Sequence, residues 1–124
     1  MILLDTNIFV DHLRNFSPAV NFFSKFTKID DVFFSAITEA ELLAGTINND
    51  PTKREKLLHF LYRWVKVPVT NPIAVLAGDL SRKYGLYIPD AIIAATALEN
   101  NLGLITKNFK DFKKVEGLKV TLPY

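Results

Sequence analysis

The chain has 124 residues, no cysteine, 49% hydrophobic residues, and a formal net charge of +2 from 15 Lys and Arg against 13 Asp and Glu. This composition fits one domain with its own core and excludes a thiolate nucleophile, a Cys-based zinc site, a disulfide framework and a molecule-wide cationic surface for nucleic acid. Charges interrupt every apolar stretch before the about 20 residues of a membrane helix, and Asp5 halts the N-terminal run short of a signal peptide's apolar region, so a soluble, cytoplasmic protein with no membrane association is expected.

Ile2-Leu3-Leu4 is a short continuous apolar run, as in a strand covered on both faces, and Thr6 to Arg14 follows with helical spacing. Pro18 opens a second helix whose apolar face is Val20, Phe23 and Phe26 or Thr27. Val32-Phe33-Phe34 predicts a strand, and Ser35 caps a helix running through Glu39 to Ala44 and closed by Gly45. After the turn residues Asn48-Asn49-Asp50-Pro51, Leu57, Phe60, Leu61 and Trp64 stand at i, i+3, i+4 and i+7 of an amphipathic helix. Lys66-Val67 predicts a brief strand. Asn71-Pro72 starts a helix to about Tyr84, and Pro89 opens another to about Asn101. Gly103 to Thr106 supplies a strand, and a last extended piece lies near Lys119-Val120. Strands alternating with helices predict an α/β fold: a three-layer sandwich, its central sheet mostly parallel with four to five strands and flanked by helices, in one domain over residues 1–124.

Three carboxylates stand where such a fold gathers ligands. Asp5 falls at the carboxyl end of the first strand, where open parallel sheets bind, although Asp is also a preferred helix N-cap. In Ser35-Ala-Ile-Thr-Glu-Ala-Glu41, helical spacing puts Ile37, Ala40, Glu41 and Ala44 on one inward face and turns Glu39 away. Asp90 lies in the first turn of a helix that is apolar almost all round from Ala91 to Leu98, which predicts burial in the middle of the domain. Acids clustered without a cation repel and hold one another's protons, so the group points to a divalent metal. All-oxygen ligation favours Mg²⁺ or Mn²⁺ over zinc.

The segments L-L-D-T-N, S-A-I-T-E-A-E-L-L-A-G, P-D-A-I-I-A-A-T-A-L-E-N-N-L and L-I-T-K-N-F-K-D-F, in this order over nearly the whole chain, resemble the PIN domain and within it the VapC-type toxin ribonucleases of toxin–antitoxin pairs. The resemblance implies a Mg²⁺-dependent endoribonuclease that hydrolyses RNA phosphodiester bonds. It puts Asp5, Glu41 and Asp90 on the acidic catalytic and metal-binding positions, and Thr6, Asn7, Ser35 and Thr106 on the supporting polar ones. It further implies a homodimer and a small VapB-like antitoxin whose C-terminal segment covers the acidic groove; Phe22, Phe23, Phe26, Leu58 and Tyr62 are candidates for that surface or for the core.

The family's fourth acidic position falls on Asn108, which can offer an amide oxygen but no charge; Asp111, three residues on and on the same side of a helical turn, can supply the carboxylate instead. This departure leaves a weakly active or inactive PIN-like RNA- or protein-binding module as the alternative reading. Lys107, Lys110 and Lys113 lie in a basic segment suited to phosphate contacts. A haloacid-dehalogenase-like phosphatase would want an acid at Asn7, and a response-regulator receiver would want a phosphoacceptor Asp ending a central strand, which Asp50 does not do. His12 and His59 stand isolated on helices and belong at the surface or its boundary.

Overall fold

The computed structural model describes residues 1–26 and 31–124. Thr27, one of the alternatives for the inner face of the second helix, lies outside the described residues. The chain runs β1 (Ile2–Leu4), α1 (Thr6–Leu13), α2 (Ser17–Ser24), β2 (Val32–Ser35), α3 (Ala36–Leu43), α4 (Pro51–Leu61), β3 (Val65–Val67), α5 (Asn71–Tyr84), α6 (Ile88–Glu99), β4 (Gly103–Ile105), α7 (Phe109–Phe112) and β5 (Val120–Thr121), with a 3₁₀ turn over Thr46–Asn49 ahead of α4. The strands form one five-stranded parallel sheet in the order β3-β2-β1-β4-β5. The chain therefore builds one half of the sheet, then crosses β1 to build the other, and the switch point lies between β1 and β4.

Two-residue alternation along each strand feeds two cores. Leu3 and Leu104 point to a layer formed with Ile73, Ala77 and Leu80 of α5, the alanines of α6, and Phe112 of α7. Leu4, Val32, Phe34 and Ile105 point to the other layer, with Ile8 and Phe9 of α1, Phe22 and Phe23 of α2, and Leu57 and Leu61 of α4. Both faces are covered, which is why these strands read as unbroken apolar runs. Helix α6 is enclosed as its composition predicts, with Ala91 and all residues from Ile93 to Ala97 buried. Gly85 ends α5 with φ of 69°, a left-handed conformation that costs glycine little.

Two expected faces shift. On α2 the buried residues are Ala19, Phe22 and Phe23, while Val20 is exposed; Phe22 and Phe23 belong to the aromatic core rather than to a free surface, and Tyr62 is exposed. On α3 the buried residues are Thr38 and Leu42, not Ala40, Glu41 and Ala44, which are exposed. The helix is turned by contacts that hydropathy does not encode: it leans on α1 and α6, and Thr38 meets Thr6 there.

Phe9 anchors the second core, with ring centroids of Phe23, Phe34 and Phe60 at 5.4, 5.7 and 6.2 Å. His12 lies half-buried and stacked on Phe60 at 4.1 Å, whereas His59 is exposed. Removing an aromatic ring from such a nest loses transfer energy and leaves a cavity, so Phe9→Ala should lower unfolding free energy by about 3 to 5 kcal/mol. Urea unfolding monitored through Trp64 fluorescence measures this difference.

Candidate active site

The site is assembled where β1, β2 and β4 end. Asp5 leaves β1, its backbone N–H donating to the Ile105 carbonyl at 3.0 Å, and it also caps α1. Asp5 thus stands at the end of the strand and is at the same time the helix N-cap. One carboxylate oxygen, Oδ1, accepts from the Thr6 N–H at 2.8 Å, and Oδ2 accepts from the Thr106 hydroxyl at 2.7 Å. The side chain is 5% exposed. Burial pushes its pKa up, and the Thr106 and Thr6 hydrogen bonds pull against that without cancelling it.

Thr6 extends the chain of contacts to α3. Its hydroxyl donates to Glu41 Oε1 at 2.8 Å and lies 2.9 Å from the Thr38 hydroxyl. A hydroxyl carries a single proton, so with Thr6 committed to Glu41 it is Thr38 that donates to Thr6. Thr38 is fully buried and was not singled out from the sequence. Its position one helical turn before Glu41, facing the same neighbour, is the signal that could have found it. Ser35 is buried at the end of β2, where its hydroxyl accepts from the Ile37 N–H at 3.1 Å and fixes the start of α3. Asn7 stands exposed in the first turn of α1.

Asp90 enters from the first turn of α6, half-buried. Burial, followed by the negative charges of Asp5, Glu41 and Asp111, raises its pKa from 3.8 to about 6. The four acids therefore share one field. Thr106 accepts the Asn108 N–H at 3.0 Å, and the Asn108 side-chain amide donates to Asp111 Oδ2 at 2.9 Å, so positions 108 and 111 share one side of the turn as their spacing predicts.

Two arrangements differ from simple convergence. Among the described residues, no three acidic or imidazole side chains are gathered tightly enough to hold one ion as they stand; the oxygens of Asp5 and Glu41 are drawn toward threonines. Among the lysines, Lys110 and Lys113 are exposed, but Lys107 is paired with Asp11 at 2.6 Å. Burial raises the Asp11 carboxyl, but the hydrogen bonds from Lys107 and Tyr124 and the charges of Lys107 and Arg14 together outweigh it and leave the pKa below its ordinary value.

The donor set fits a hard divalent cation. Carboxylate and amide oxygens are the available groups, and the ion pairs among the described residues, Lys66–Glu39, Arg82–Asp79 and Lys107–Asp11, involve none of Asp5, Glu41, Asp90 or Asp111. The neighbouring charges add to burial in raising the pKa of Asp90.

A five-stranded parallel sheet in this order, with Asp5 at the end of its central strand and helices on both faces, defines a three-layer α/β domain. Residues 2–118 match the PIN domain, and the chain belongs to that family. It is similar to Ribonuclease VapC10 of Mycobacterium tuberculosis, 32% identical over 124 residues that span 96% of this chain and 91% of that protein. Among solved structures, it resembles a toxin-antitoxin complex from Klebsiella pneumoniae, with a TM-score of 0.81, 31% identity, and coverage of 100% of this chain and 98% of that one. It also resembles VapBC2 from Rickettsia felis bound to a DNA fragment from its promoter, with a TM-score of 0.80, 28% identity and 98% of each chain covered.

Because Asp90 binds its proton more tightly in the folded state, the folded protein holds more protons than the unfolded chain between pH 3.8 and about 6. The Asp90 contribution to the stability of the metal-free protein therefore falls as pH rises through that window and is lowest above it. Asp90→Asn should remove this loss. In EDTA at pH 7.5 the variant should be more stable than wild type by about 1 to 2 kcal/mol, allowing for partial solvent screening, with the difference vanishing below about pH 4. Urea unfolding at the two pH values reads the effect.

Proposed function

We propose that this protein is a metal-dependent endoribonuclease, the toxin of a toxin–antitoxin pair, and that residues 1–124 act as one catalytic unit. The observation that carries the reading is the gathering of acids at the sheet's switch point, where Thr6 ties Asp5 to Glu41 and Asp90 lies within the field of both. The likeness to a protein named Ribonuclease VapC10 across nearly the full chain supports RNA as the substrate.

In this reading Asp5, Asp90 and Glu41, with Asn108 or Asp111, would hold Mg²⁺ or Mn²⁺, which when bound would supply an activated water and charge neutralisation for phosphodiester hydrolysis. The residues of the chain do the rest. The Thr106 hydroxyl and the Thr6 N–H fix the direction of the buried Asp5 carboxylate and offset part of the burial that raises its pKa. Thr6 also fixes Glu41, tying both acids to the first residue of α1. Ser35 sets where α3 begins and so where Glu41 stands, and Asn7 stands exposed next to Thr6 in the first turn of α1. Lys110 and Lys113 are the exposed cations suited to the RNA backbone. The neighbouring solved structures are toxin–antitoxin complexes, which supports a small antitoxin as partner; a homodimer and a cytoplasmic setting complete the proposal.

Asp5→Asn should lower Mg²⁺-dependent RNA cleavage by at least about 10²-fold, as loss of preorganised charge stabilisation does, while circular dichroism shows an unchanged fold. Cleavage by the purified variant within a few-fold of wild type would remove the assignment and favour a binding module.

Asp111 and Asn108 make a separate test. Asp111→Asn should reduce cleavage less than Asp5→Asn and raise the Mg²⁺ concentration for half-maximal activity by about tenfold, whereas Asn108→Asp should leave that concentration unchanged or lower it. If neither titration curve moves, the turn is scaffold and the working acids are Asp5, Glu41 and Asp90.

A further inference from the structure

We propose that Asp11 sets a ceiling on the RNA affinity of this protein by holding Lys107 in a neutral pair beside the cleft. The inference rests on the ribonuclease reading and deepens it, because it identifies which cation next to the acids is withheld from the RNA backbone and by what.

Lys107 follows Thr106, the residue whose hydroxyl holds Asp5, so its backbone is fixed at the edge of the site. Its side chain is 44% exposed and would reach solvent phosphates unaided. Instead its ammonium donates to Asp11 Oδ2 at 2.6 Å, and the Tyr124 hydroxyl donates to the same oxygen at 2.5 Å. Asp11 is held for this role: its side chain is 14% exposed, and it stands on α1 roughly 9 Å along the helix from Asp5. Tyr124 is anchored in turn, its ring packed edge-on against Phe16 and Phe22 at 5.8 and 6.2 Å.

Three segments distant in the sequence thus converge on one carboxylate oxygen. A lysine so paired carries no net charge to a phosphate, and RNA binding to it would have to break a short charge-assisted bond first. Lys110 and Lys113 are in no ion pair among the described residues and remain available. Counterion release upon binding should therefore report these two lysines and omit Lys107, until Asp11 loses its charge. An Asn at position 11 still accepts from Tyr124, so the aromatic anchor survives the substitution.

The test is a two-residue cycle on the full chain. Wild type, Lys107→Gln, Asp11→Asn and the double variant are titrated with a single-stranded oligouridylate in EDTA, at several salt concentrations. Lys107→Gln should leave the slope of log affinity against log salt at the wild-type value. Asp11→Asn should steepen it by about 0.7, the contribution of one added phosphate contact on a single strand. The double variant should return to wild type. That non-additivity is the signature, since a general charge effect would shift the slope by equal and opposite amounts for the two single variants. A flatter slope for Lys107→Gln overturns the inference even if Asp11→Asn fails to fold, because it means Lys107 already touches RNA. An unmoved slope for folded Asp11→Asn also overturns it. Wild type without salt-dependent RNA binding overturns this inference, whereas the ribonuclease reading stands or falls separately on Mg²⁺-dependent cleavage by wild type and Asp5→Asn.

Discussion

Burying one carboxylate at the end of the central strand constrains most of what surrounds it. Asp5 tolerates its desolvation because a donor meets each of its oxygens. Meeting Oδ2 requires the end of β4 to lie beside the end of β1, as the pairing of Leu4 with Ile105 ensures. Meeting Oδ1 requires α1 to begin at Thr6, so that its first free N–H points at the carboxylate. Once α1 starts there, the Thr6 hydroxyl faces α3 and fixes Glu41 and Thr38 against it. A requirement of solvation at one residue thus sets the register of a strand pair and the rotation of two helices.

The same site separates donors from charges. Its buried polar groups, Ser35, Thr38, Thr106 and Thr6, are neutral hydroxyls that need no counterion, while the acids gather with little screening. Cations are used elsewhere: Lys66 holds Glu39 on the side of α3 turned from Glu41, and Lys107 holds Asp11 farther along α1. Placing an arginine or lysine among the acids would relieve the strain on Asp90 but would also occupy the place of an external cation. The raised Asp90 pKa reflects its burial first and the unpaired acids around it second.

What could be read from the sequence and what could not divides along chain distance. The strands were legible because two-sided burial leaves continuous apolar runs, and α6 because its alanines and isoleucines leave no polar face. Asp5 and Asp90 were legible because they stand at the ends of such runs. Glu41 was found, but its surroundings were not: hydropathy on α3 favours an inward stripe of Ile37, Ala40 and Glu41, whereas the Thr38–Thr6 contact rotates the helix and puts Glu41 on the cleft. Asp11, Lys107 and Tyr124 were illegible as a unit, since their contacts span 96 and 113 residues and none lies within a periodic pattern.

The bond between Thr106 and Asp5 joins positions 101 residues apart in sequence. Synthesis proceeds from the N-terminus, so β1 and α1 emerge long before the strand that completes them. Until β4 docks, Asp5 has only the Thr6 amide for a partner, and the middle of the sheet has an open edge where β4 belongs. Long-range parallel pairing of this kind is slow to form. A nascent or truncated chain ending before Thr106 would carry Asp5, Glu41 and Asp90 and still lack the donor that orients the first of them. The hydrogen-bond set of Asp5 is thereby complete only after translation has passed the β4 segment, a consequence of strand order alone.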